Sequence, residues 1–228
     1  MAIFTAGPAV AEIRGSAGGT TFSRNRFGAY TRQRTTPVNP NSPAQVLARG
    51  RLSTLTVYWR DTLTQAQRDA WDAYADATTW KNALGQDIKL TGLNHFLRAG
   101  QLRLQAGEAI VATAPATPGI PAEETLWTPT ADATGNTIDI AYTFSPNVDD
   151  QMWNFFASRP YAASKNFFAG PWRYVGSVVG DSTTPPTSPA SFNYPWTLVA
   201  GQRVWVYARR ADADNRVNEP FQATVLAT

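Results

Sequence analysis

A proline-rich tract at residues 112–124 separates two parts of the sequence that differ in hydrophobic period. The tract reads ATAPATPGIPAEE, and its three prolines and one glycine favour an irregular linker. Before it, apolar residues recur at helical spacing. After it, they alternate with polar residues, as in strands with one buried face. We therefore expect an α+β protein with several domains, which has a helical region at residues 42–111 and a β region at residues 125–228.

Local capping signals predict three helix starts before the tract. Ser42 with Gln45, and Thr64 with Gln67, match the capping box in which two side chains bond the first free backbone N–H groups of a helix. Thr91 is expected to begin the third helix. Gly107 would end that helix, because glycine adopts the left-handed conformation of a C-cap.

Apolar side chains on these helices are predicted to form a compact anchor. In the first helix, one buried stripe is expected to contain Leu47, Leu55, Tyr58 and Trp59. The aromatic centre of the anchor is predicted to contain Trp59, Trp71, Tyr74, Trp80 and Phe96. Between Trp80 and Leu90, a polar stretch with Gly85 favours a loop or a small hairpin.

About seven short strands are predicted after the tract, separated by turn-rich loops. Residues 136–144 alternate strictly, with Ile138, Ile140, Tyr142 and Phe144 on one face. Residues 203–210 place Val204, Val206 and Ala208 opposite Trp205 and Tyr207. Seven strands in about 105 residues without cysteine are typical of an immunoglobulin-like or fibronectin-type-III-like β-sandwich.

Residues 1–41 are expected to form an extended basic arm. Residues 1–60 hold eight arginines, no lysine and a single acid, Glu12, whereas residues 61–228 hold 12 basic and 16 acidic side chains. Residues 20–24 and 29–35 favour two strands joined by a turn at residues 25–28. Such a hairpin is only marginally stable in water and needs further chain or a neighbouring subunit.

The arginines of this hairpin alternate with aromatic residues, which indicates a docking role. The candidate docking residues are Arg24, Arg26, Arg32, Arg34, Phe22, Phe27 and Tyr30. Arginine forms bidentate pairs with carboxylates, and aromatic side chains anchor protein interfaces. The same residue types suit nucleic acid, through phosphate pairing and base stacking. The absence of lysine favours a protein partner.

Few residues suggest catalysis or cofactor binding. The single histidine, His95, lies on the third predicted helix and is more typical of structural packing. The glycine run at residues 15–20 lacks the G-K-[ST] ending of a phosphate loop. Acidic pairs at residues 123–124, 149–150 and 212/214 match no calcium loop, although two sandwich loops could bring acids together around an ion. We therefore predict no catalytic residue, cofactor or metal.

Cysteine is absent, which excludes disulfides and thiolate sites. No apolar run approaches the about 20 residues needed to cross a bilayer, so no membrane partner is expected.

Three motifs in fixed order resemble a family of virion structural proteins of tailed bacteriophages and prophages. They are GSAGGTTFSRNRFGAYTRQRTTPVNPNSPAQ at residues 15–45, WRDTLTQAQRDAWDAYA at 59–75 and LTGLNHFLRAGQLRLQAG at 90–107. The remainder resembles the family only in architecture. The third helix departs from the pattern at Arg98-Ala99-Gly100, where a polar residue is expected before a basic pair.

The resemblance implies a non-enzymatic component of the particle, assembled in the host cytoplasm and retained in the virion. A capsid decoration, cement or minor capsid protein is favoured, whose arm clasps other virion proteins or identical copies and whose β-sandwich projects. A tail or head–tail connector component is the alternative within this class. Outside it, a nucleic-acid-binding packaging protein and a glycan-binding adhesive module remain open. The adhesive module would use Trp153, Trp172, Trp196 or Trp205.

Overall fold

The protein is a mixed structure of helices and, mainly, β-strands, as the sequence predicts. The computed structural model describes residues 2–5, 7, 10, 12–25, 28–82, 84–121, 127–142 and 148–228. Within these ranges the chain forms three α-helices and thirteen β-strands. The strands form a four-stranded sheet at the N terminus, a small hairpin among the helices, and a three-stranded and a four-stranded sheet at the C terminus.

The N-terminal segment is a four-stranded antiparallel sheet rather than a lone hairpin. Its strands are β1 (Ala2–Phe4), β2 (Gly15–Ala17), β3 (Thr20–Asn25) and β4 (Gly28–Gln33). Their order is β1-β4-β3-β2, so the predicted hairpin forms the centre and the two short strands flank it. The chain thus supplies the partners that a two-stranded hairpin requires. The predicted turn residues Arg26 and Phe27 lie outside the described residues.

The three helices begin at the predicted caps. They are α1 (Pro43–Val57), α2 (Gln65–Ala77) and α3 (Gly92–Ala106), and a single π-helical turn, Tyr58–Thr62, follows α1. Both predicted capping boxes form, and the Thr91 hydroxyl accepts from the Asn94 N–H. Gly107 ends α3 at φ 90°. The predicted small hairpin forms from β5 (Trp80–Lys81) and β6 (Asp87–Ile88).

The helices pack around Phe96 of α3. Its ring centroid lies 5.4 Å from that of Trp59, 5.6 Å from that of Trp71 and 6.1 Å from that of Tyr58. Leu55 is fully buried against Gly100, where a Cβ atom would meet the Leu55 Cδ2 atom at 2.4 Å. A side chain at Gly100 would therefore separate α1 from α3.

The predicted buried stripe on α1 is wrong at Leu47, which is 66% exposed. Leu55 is the only fully buried residue among the described residues of α1, and it lies in the C-terminal half of the helix. The spacing of apolar residues identifies a face of a helix but does not reveal how far along that face a partner extends. In this chain the partner, α3, covers only the C-terminal part of α1.

All seven strands predicted after the tract are present, although the strand predicted at residues 190–197 ends at Asn193. They are β7 (Trp127–Asp132), β8 (Thr137–Tyr142), β9 (Met152–Ala157), β10 (Arg173–Val179), β11 (Ala190–Asn193), β12 (Arg203–Ala211) and β13 (Phe221–Leu226). One sheet has the order β11-β8-β7 and the other β10-β9-β12-β13. Phe144, predicted on the buried face of β8, lies outside the described residues.

The two C-terminal sheets enclose one core. Ile138 and Ile140 from the first sheet face Phe155, Val204 and Val206 from the second, and all five side chains are buried. The predicted alternation in β12 is therefore correct, because its small apolar residues point into this core. Two sheets that share a buried face in this way form a β-sandwich.

The helical region and the β-sandwich also share a buried cluster. Phe96 and Leu102 from the helices pack with Met152, Ala211 and Val217 from the sandwich. The Asn154 side-chain amide, fully buried on β9, donates to the Leu102 carbonyl oxygen at 3.0 Å. Helix α3 therefore packs directly on the four-stranded sheet of the sandwich, β10-β9-β12-β13.

Arg103 of α3 holds this junction together. Its side chain is 1% exposed, and its Nε donates to the Asn215 Oδ1 atom at 2.7 Å. Its Nη2 atom faces three backbone carbonyl oxygens, those of Asp150, Asp212 and Ala213, at 3.2–3.4 Å. A buried cation needs such a complete set of acceptors.

The described part of the proline-rich tract, residues 112–121, follows α2 closely. The Trp71 Nε1–H donates to the Ala112 carbonyl oxygen at 2.9 Å, and the Tyr74 hydroxyl donates to the Gly119 carbonyl oxygen at 3.2 Å. Residues 122–124 lie outside the described residues. The predicted domain limits, 1–41, 42–111, 112–124 and 125–228, stay a prediction.

Candidate docking interface

Among the residues whose burial the structure describes, the N-terminal sheet and the first half of α1 contain no buried side chain. From residue 3 to residue 50, every described residue is either exposed or half-buried. We call these residues the N-terminal surface, and we call residues 51–228 the body. The body holds both buried clusters of the described chain. A folded segment that lacks a core of its own is a candidate for burial against another molecule.

Strand register splits the predicted docking residues between two faces of the sheet. Phe22 and Arg24 lie opposite Thr31 and Ala29, so their side chains share one face. Tyr30 and Arg32 lie opposite Ser23 and Thr21, and their side chains therefore occupy the other face. On each strand, an aromatic residue and an arginine two positions away therefore share a face. The seven residues nevertheless do not form a single patch.

Arg34 lies just beyond β4, and its backbone N–H donates to the Gly19 carbonyl oxygen at 2.7 Å. Arg26 and Phe27 lie outside the described residues. No described carboxylate lies within 4.0 Å of Arg32 or Arg34, so both guanidinium groups are available to a partner.

Two further residues of this surface, Phe4 and Glu12, are not among the predicted docking residues. Phe4 packs edge-on against Phe22, with ring centroids 6.3 Å apart. The Glu12 carboxylate lies 2.8 Å from the Arg14 Nε atom and 4.0 Å from the Arg24 Nη1 atom. Three-residue strands such as β1 carry too short a pattern to be recognised. The sequence around Phe4 is therefore too short to predict that Phe4 belongs to the sheet, which follows only from the pairing of β1 with β4.

Helix α1 adds exposed apolar side chains to the surface. Val46 and Leu47 are exposed, and Val38 just before the helix is 86% exposed. The exposed apolar strip continues into the body at Leu52 and Val57. A shallow groove of about 570 Å³ continues along the helix past Gly50 to Val57. Scattered apolar residues are normal on a protein surface, but several on one short helix indicate a contact site.

His95 is part of the helical core. Its ring lies 4.9 Å from that of Tyr74 and 6.0 Å from that of Trp80. Burial, together with the nearby Arg98 charge, lowers the pKa of His95 to about 4. The imidazole is therefore neutral near pH 7, and its environment is that of a packed aromatic side chain.

Three of the acidic residues named from the sequence, Asp150, Asp212 and Asp214, have basic partners, whereas the Asp149 carboxylate accepts from the backbone N–H and the hydroxyl of Ser182. The Asp212 carboxylate lies 2.8 Å from the Arg210 Nε atom and 3.5 Å from the Arg216 Nη2 atom. The Asp150 Oδ1 atom lies 3.7 Å from the Arg103 Nη1 atom. Glu123 and Glu124 lie outside the described residues. Among the residues described, no three His, Cys, Asp or Glu side chains are grouped as metal ligands.

The glycine run forms strand β2 and the turn that follows it, where Gly18 has φ 56°. Within the described part of the chain, no helix is both long enough and apolar enough to span a bilayer.

The four tryptophans of the adhesive alternative fall into two pairs. Trp153 and Trp205 are buried in the sandwich, at 2% and 4% exposure. Trp172 and Trp196 are half-buried, and both line a cavity on the outer side of the four-stranded sheet. Trp205 nevertheless lines a second cavity, together with Phe167 and Phe168, so three of the four tryptophans border a cavity.

Comparisons with known proteins do not place the chain in a family. No protein-family model matches it. No curated protein matches it either. Two solved structures are weakly similar, both with a TM-score of 0.31.

One is a Fn3-like protein from Clostridium thermocellum, at 12% identity, over 47% of this chain and 94% of that one. The other is a family 76 glycoside hydrolase from a bovine Bacteroides thetaiotaomicron strain, at 14% identity, over 45% of this chain. This chain spans one fifth of that hydrolase. Likeness at this level carries no functional inference.

Proposed function

We propose that the protein is a non-catalytic structural protein of a tailed-phage particle, which docks through its N-terminal surface. The observation that carries the proposal is the absence of any buried side chain among the described residues 3–50, beside a body with two buried clusters. A segment with strands, a capped helix and free arginines is ordered without a core. Such a segment gains its burial from a neighbour in an assembly.

We assign the β-sandwich to the fibronectin type III class. Its strands divide three and four, with consecutive strands β7 and β8 paired in one sheet and β9 and β10 paired in the other. Strand β11 returns to the first sheet and strands β12 and β13 to the second. Many cell-surface domains share this architecture, and by fold-level analogy alone it fits the projecting part of a decoration or minor capsid protein.

Docking would combine three contacts. Strands β1 and β2 are the outer strands of the N-terminal sheet among the described residues, and an outer strand can accept a strand from a neighbour. Arg32 and Arg34 supply charge for carboxylates, and Leu47 supplies apolar area. Because the sheet is already folded, docking orders fewer residues than a disordered arm would, which lowers its entropic cost.

Mass spectrometry of purified particles tests the proposed location. We expect the chain to be present at a fixed ratio to the major capsid protein. Hundreds of copies would indicate decoration, and about a dozen would indicate a connector or tail component. Particles that lack the chain would contradict the proposal.

Point variants test the docking surface without removing a folded segment. We expect Leu47→Ser combined with Arg32→Gln to leave the protein soluble and folded but to reduce its incorporation into particles. Arg60→Gln, which alters an exposed arginine of the body, is the matched control. Normal incorporation of the double variant would show that docking uses another surface. Tight binding to naked DNA that falls steeply with salt would favour a packaging role instead.

A further inference from the structure

A cavity on the outer side of the four-stranded sheet of the sandwich is lined by residue types that are typical of a ligand site. Its volume is about 290 Å³, and Phe156, Trp172, Tyr174 and Trp196 supply its aromatic wall. Arg159 and Arg173 lie at its rim, and Gln105 of α3 also lines it. Small-molecule sites typically combine apolar walls with a few converging polar groups in this way.

The aromatic wall is held rigidly before any ligand arrives. Phe156 stacks on Tyr207 with centroids 4.6 Å apart and an interplanar angle of 10°. Trp172 packs edge-on against both Tyr207, at 4.7 Å, and Phe168, at 4.8 Å. A side chain clamped from two sides loses little freedom when it binds a ligand.

Trp196 is fixed from the opposite sheet. Its ring lies 5.4 Å from that of Tyr194, and the Tyr194 hydroxyl donates to the Ser158 carbonyl oxygen at 2.6 Å. The cavity wall therefore joins three loops, two strands and the helices α1 and α3 into one preformed surface.

The two rim arginines have no anionic partner in the described chain. Both are exposed, and their Cζ atoms lie 5.8 Å and 5.5 Å from the Trp196 ring centroid. No described carboxylate lies within 4.0 Å of Arg159 or Arg173. Two like charges held near one ring leave a position where a carboxylate can bind both.

We propose that this cavity binds an acidic sugar residue, such as a uronic or sialic acid at the end of a surface polysaccharide. The flat C–H face of the pyranose packs on Trp172, beside the Trp196 ring, over which the Arg159 and Arg173 guanidinium groups lie. Its carboxylate pairs with Arg159 and Arg173, and a ring hydroxyl meets the Gln105 amide. Of the residues that line the cavity, Ala44 belongs to the N-terminal surface. The contacts proposed for the sugar do not involve Ala44 and share no residue with the docking variants, so the two proposals can be tested independently.

The surrounding charge favours a compact ligand over a nucleic-acid strand. Residues 125–228 carry seven lysines and arginines and eight aspartates and glutamates, so the sandwich as a whole is not basic. Binding of a polyphosphate backbone depends on a basic track along several nucleotides. Two arginines above an aromatic wall suit a single carboxylate.

Isothermal titration of the full-length protein tests the proposal. The probes are trigalacturonate and sialyllactose, with galactotriose and lactose as neutral counterparts and oligo(dT) as the nucleic-acid probe. We expect an acidic probe to bind, its neutral counterpart to bind at least about tenfold more weakly, and Arg159→Gln or Arg173→Gln each to weaken the acidic probe about tenfold. Trp196→Ala is expected to weaken it by a similar factor.

Matched controls separate the cavity from general effects. Phe167→Ala removes an aromatic ring that is 77% exposed and outside the cavity. Lys89→Gln removes one exposed positive charge elsewhere, and both variants should bind as the parent protein does. Near-ultraviolet circular dichroism checks the fold of each variant.

Three results would overturn the assignment. They are equal affinity for acidic and neutral sugars, unchanged affinity in both arginine variants, and no binding of either acidic probe below about 10 mM. Preferential binding of oligo(dT) at the same residues would assign the cavity to nucleic acid instead.

Discussion

Leu47 and Leu55 lie about two turns apart on α1, yet Leu47 is 66% exposed and Leu55 is fully buried. The first belongs to the N-terminal surface and the second to the body. The same helix therefore continues from a packed environment into one that this chain leaves open. Apolar residues continue with it, although nothing in the described chain covers them.

The difference teaches how order and burial can be separated. The N-terminal surface is ordered by local signals, namely a capping box at Ser42 and strand pairing in a small sheet. The body is ordered by shared cores. Stability of the protein should therefore depend on the body, and assembly should depend on the N-terminal surface. Four predictions test that division, beginning with the largest expected effect.

Replacement of Arg103 by methionine should destabilise the body most. The change leaves the Asn215 Oδ1 atom and three carbonyl oxygens without their donor inside the junction. We expect the free energy of unfolding in urea to fall by about 3–5 kcal/mol. Arg60→Met, at an exposed arginine of the body, is the control and should have no measurable effect. A stable R103M protein would mean that apolar packing alone holds the junction.

Acid should destabilise the body through His95. The pKa of His95 is lowered to about 4 in the folded protein, from 6.5 in the unfolded chain. The unfolded chain therefore binds the extra proton first, and stability is lost as the pH falls from 6.5 towards 4. We expect a loss of up to about 3 kcal/mol over that window.

Urea unfolding at several pH values measures this loss. His95→Phe keeps an aromatic ring against Tyr74 and Trp80 but cannot take up a proton, so it should remove that part of the pH dependence. An unchanged dependence in H95F would assign the loss to other groups.

Alanine at two helical glycines should act in opposite directions. At Gly100 of α3, the new Cβ meets Leu55 at 2.4 Å, and we expect a loss of about 1–2 kcal/mol despite the better helix propensity. At Gly50 of α1, no atom lies within 4 Å of the new Cβ, and we expect a gain of about 0.5–1 kcal/mol. Thermal unfolding of both variants measures the difference. Stabilisation by both would show that α1 and α3 are not in close contact.

Leu47→Ser should have the smallest effect on stability. Because its side chain is largely exposed, we expect a change within about 0.5 kcal/mol in the isolated protein. Leu55→Ala on the same helix should cost about 2–5 kcal/mol. Incorporation into particles should show the reverse order of sensitivity once unfolded protein is removed. A large loss of stability in L47S would place Leu47 in a core and would remove the distinction between the two regions.

Local signals in the sequence predicted local structure well. The capping residues Ser42, Thr64 and Thr91 and the C-cap Gly107 all function as predicted, because each depends on neighbours within a few residues. The alternation in β8 and β12 also identified the correct buried faces, since a strand with one buried face must alternate.

Features that depend on distant parts of the chain were not predictable in the same way. Strand β1 pairs with β4 across more than twenty residues, and its three residues carry no usable pattern. Arg103 was not identified at all, because its partners lie more than forty residues away and a lone arginine gives no warning of burial. For the split of Phe22 and Tyr30 between two faces, a signal did exist. Counting outward from a two-residue turn would have placed Arg24 opposite Ala29 and Tyr30 on the other side.

The Arg103 junction also has a mechanical consequence. Its side chain, together with the Asn154 amide, connects α3 to the sandwich through hydrogen bonds on both sides of a buried apolar patch. A force on the sandwich is therefore transmitted directly to α3, because no flexible linker lies between them at this junction. A lateral force on the far end of the sandwich would therefore apply a torque to the helical region. The surface to which the helical region binds would then determine the orientation of the sandwich.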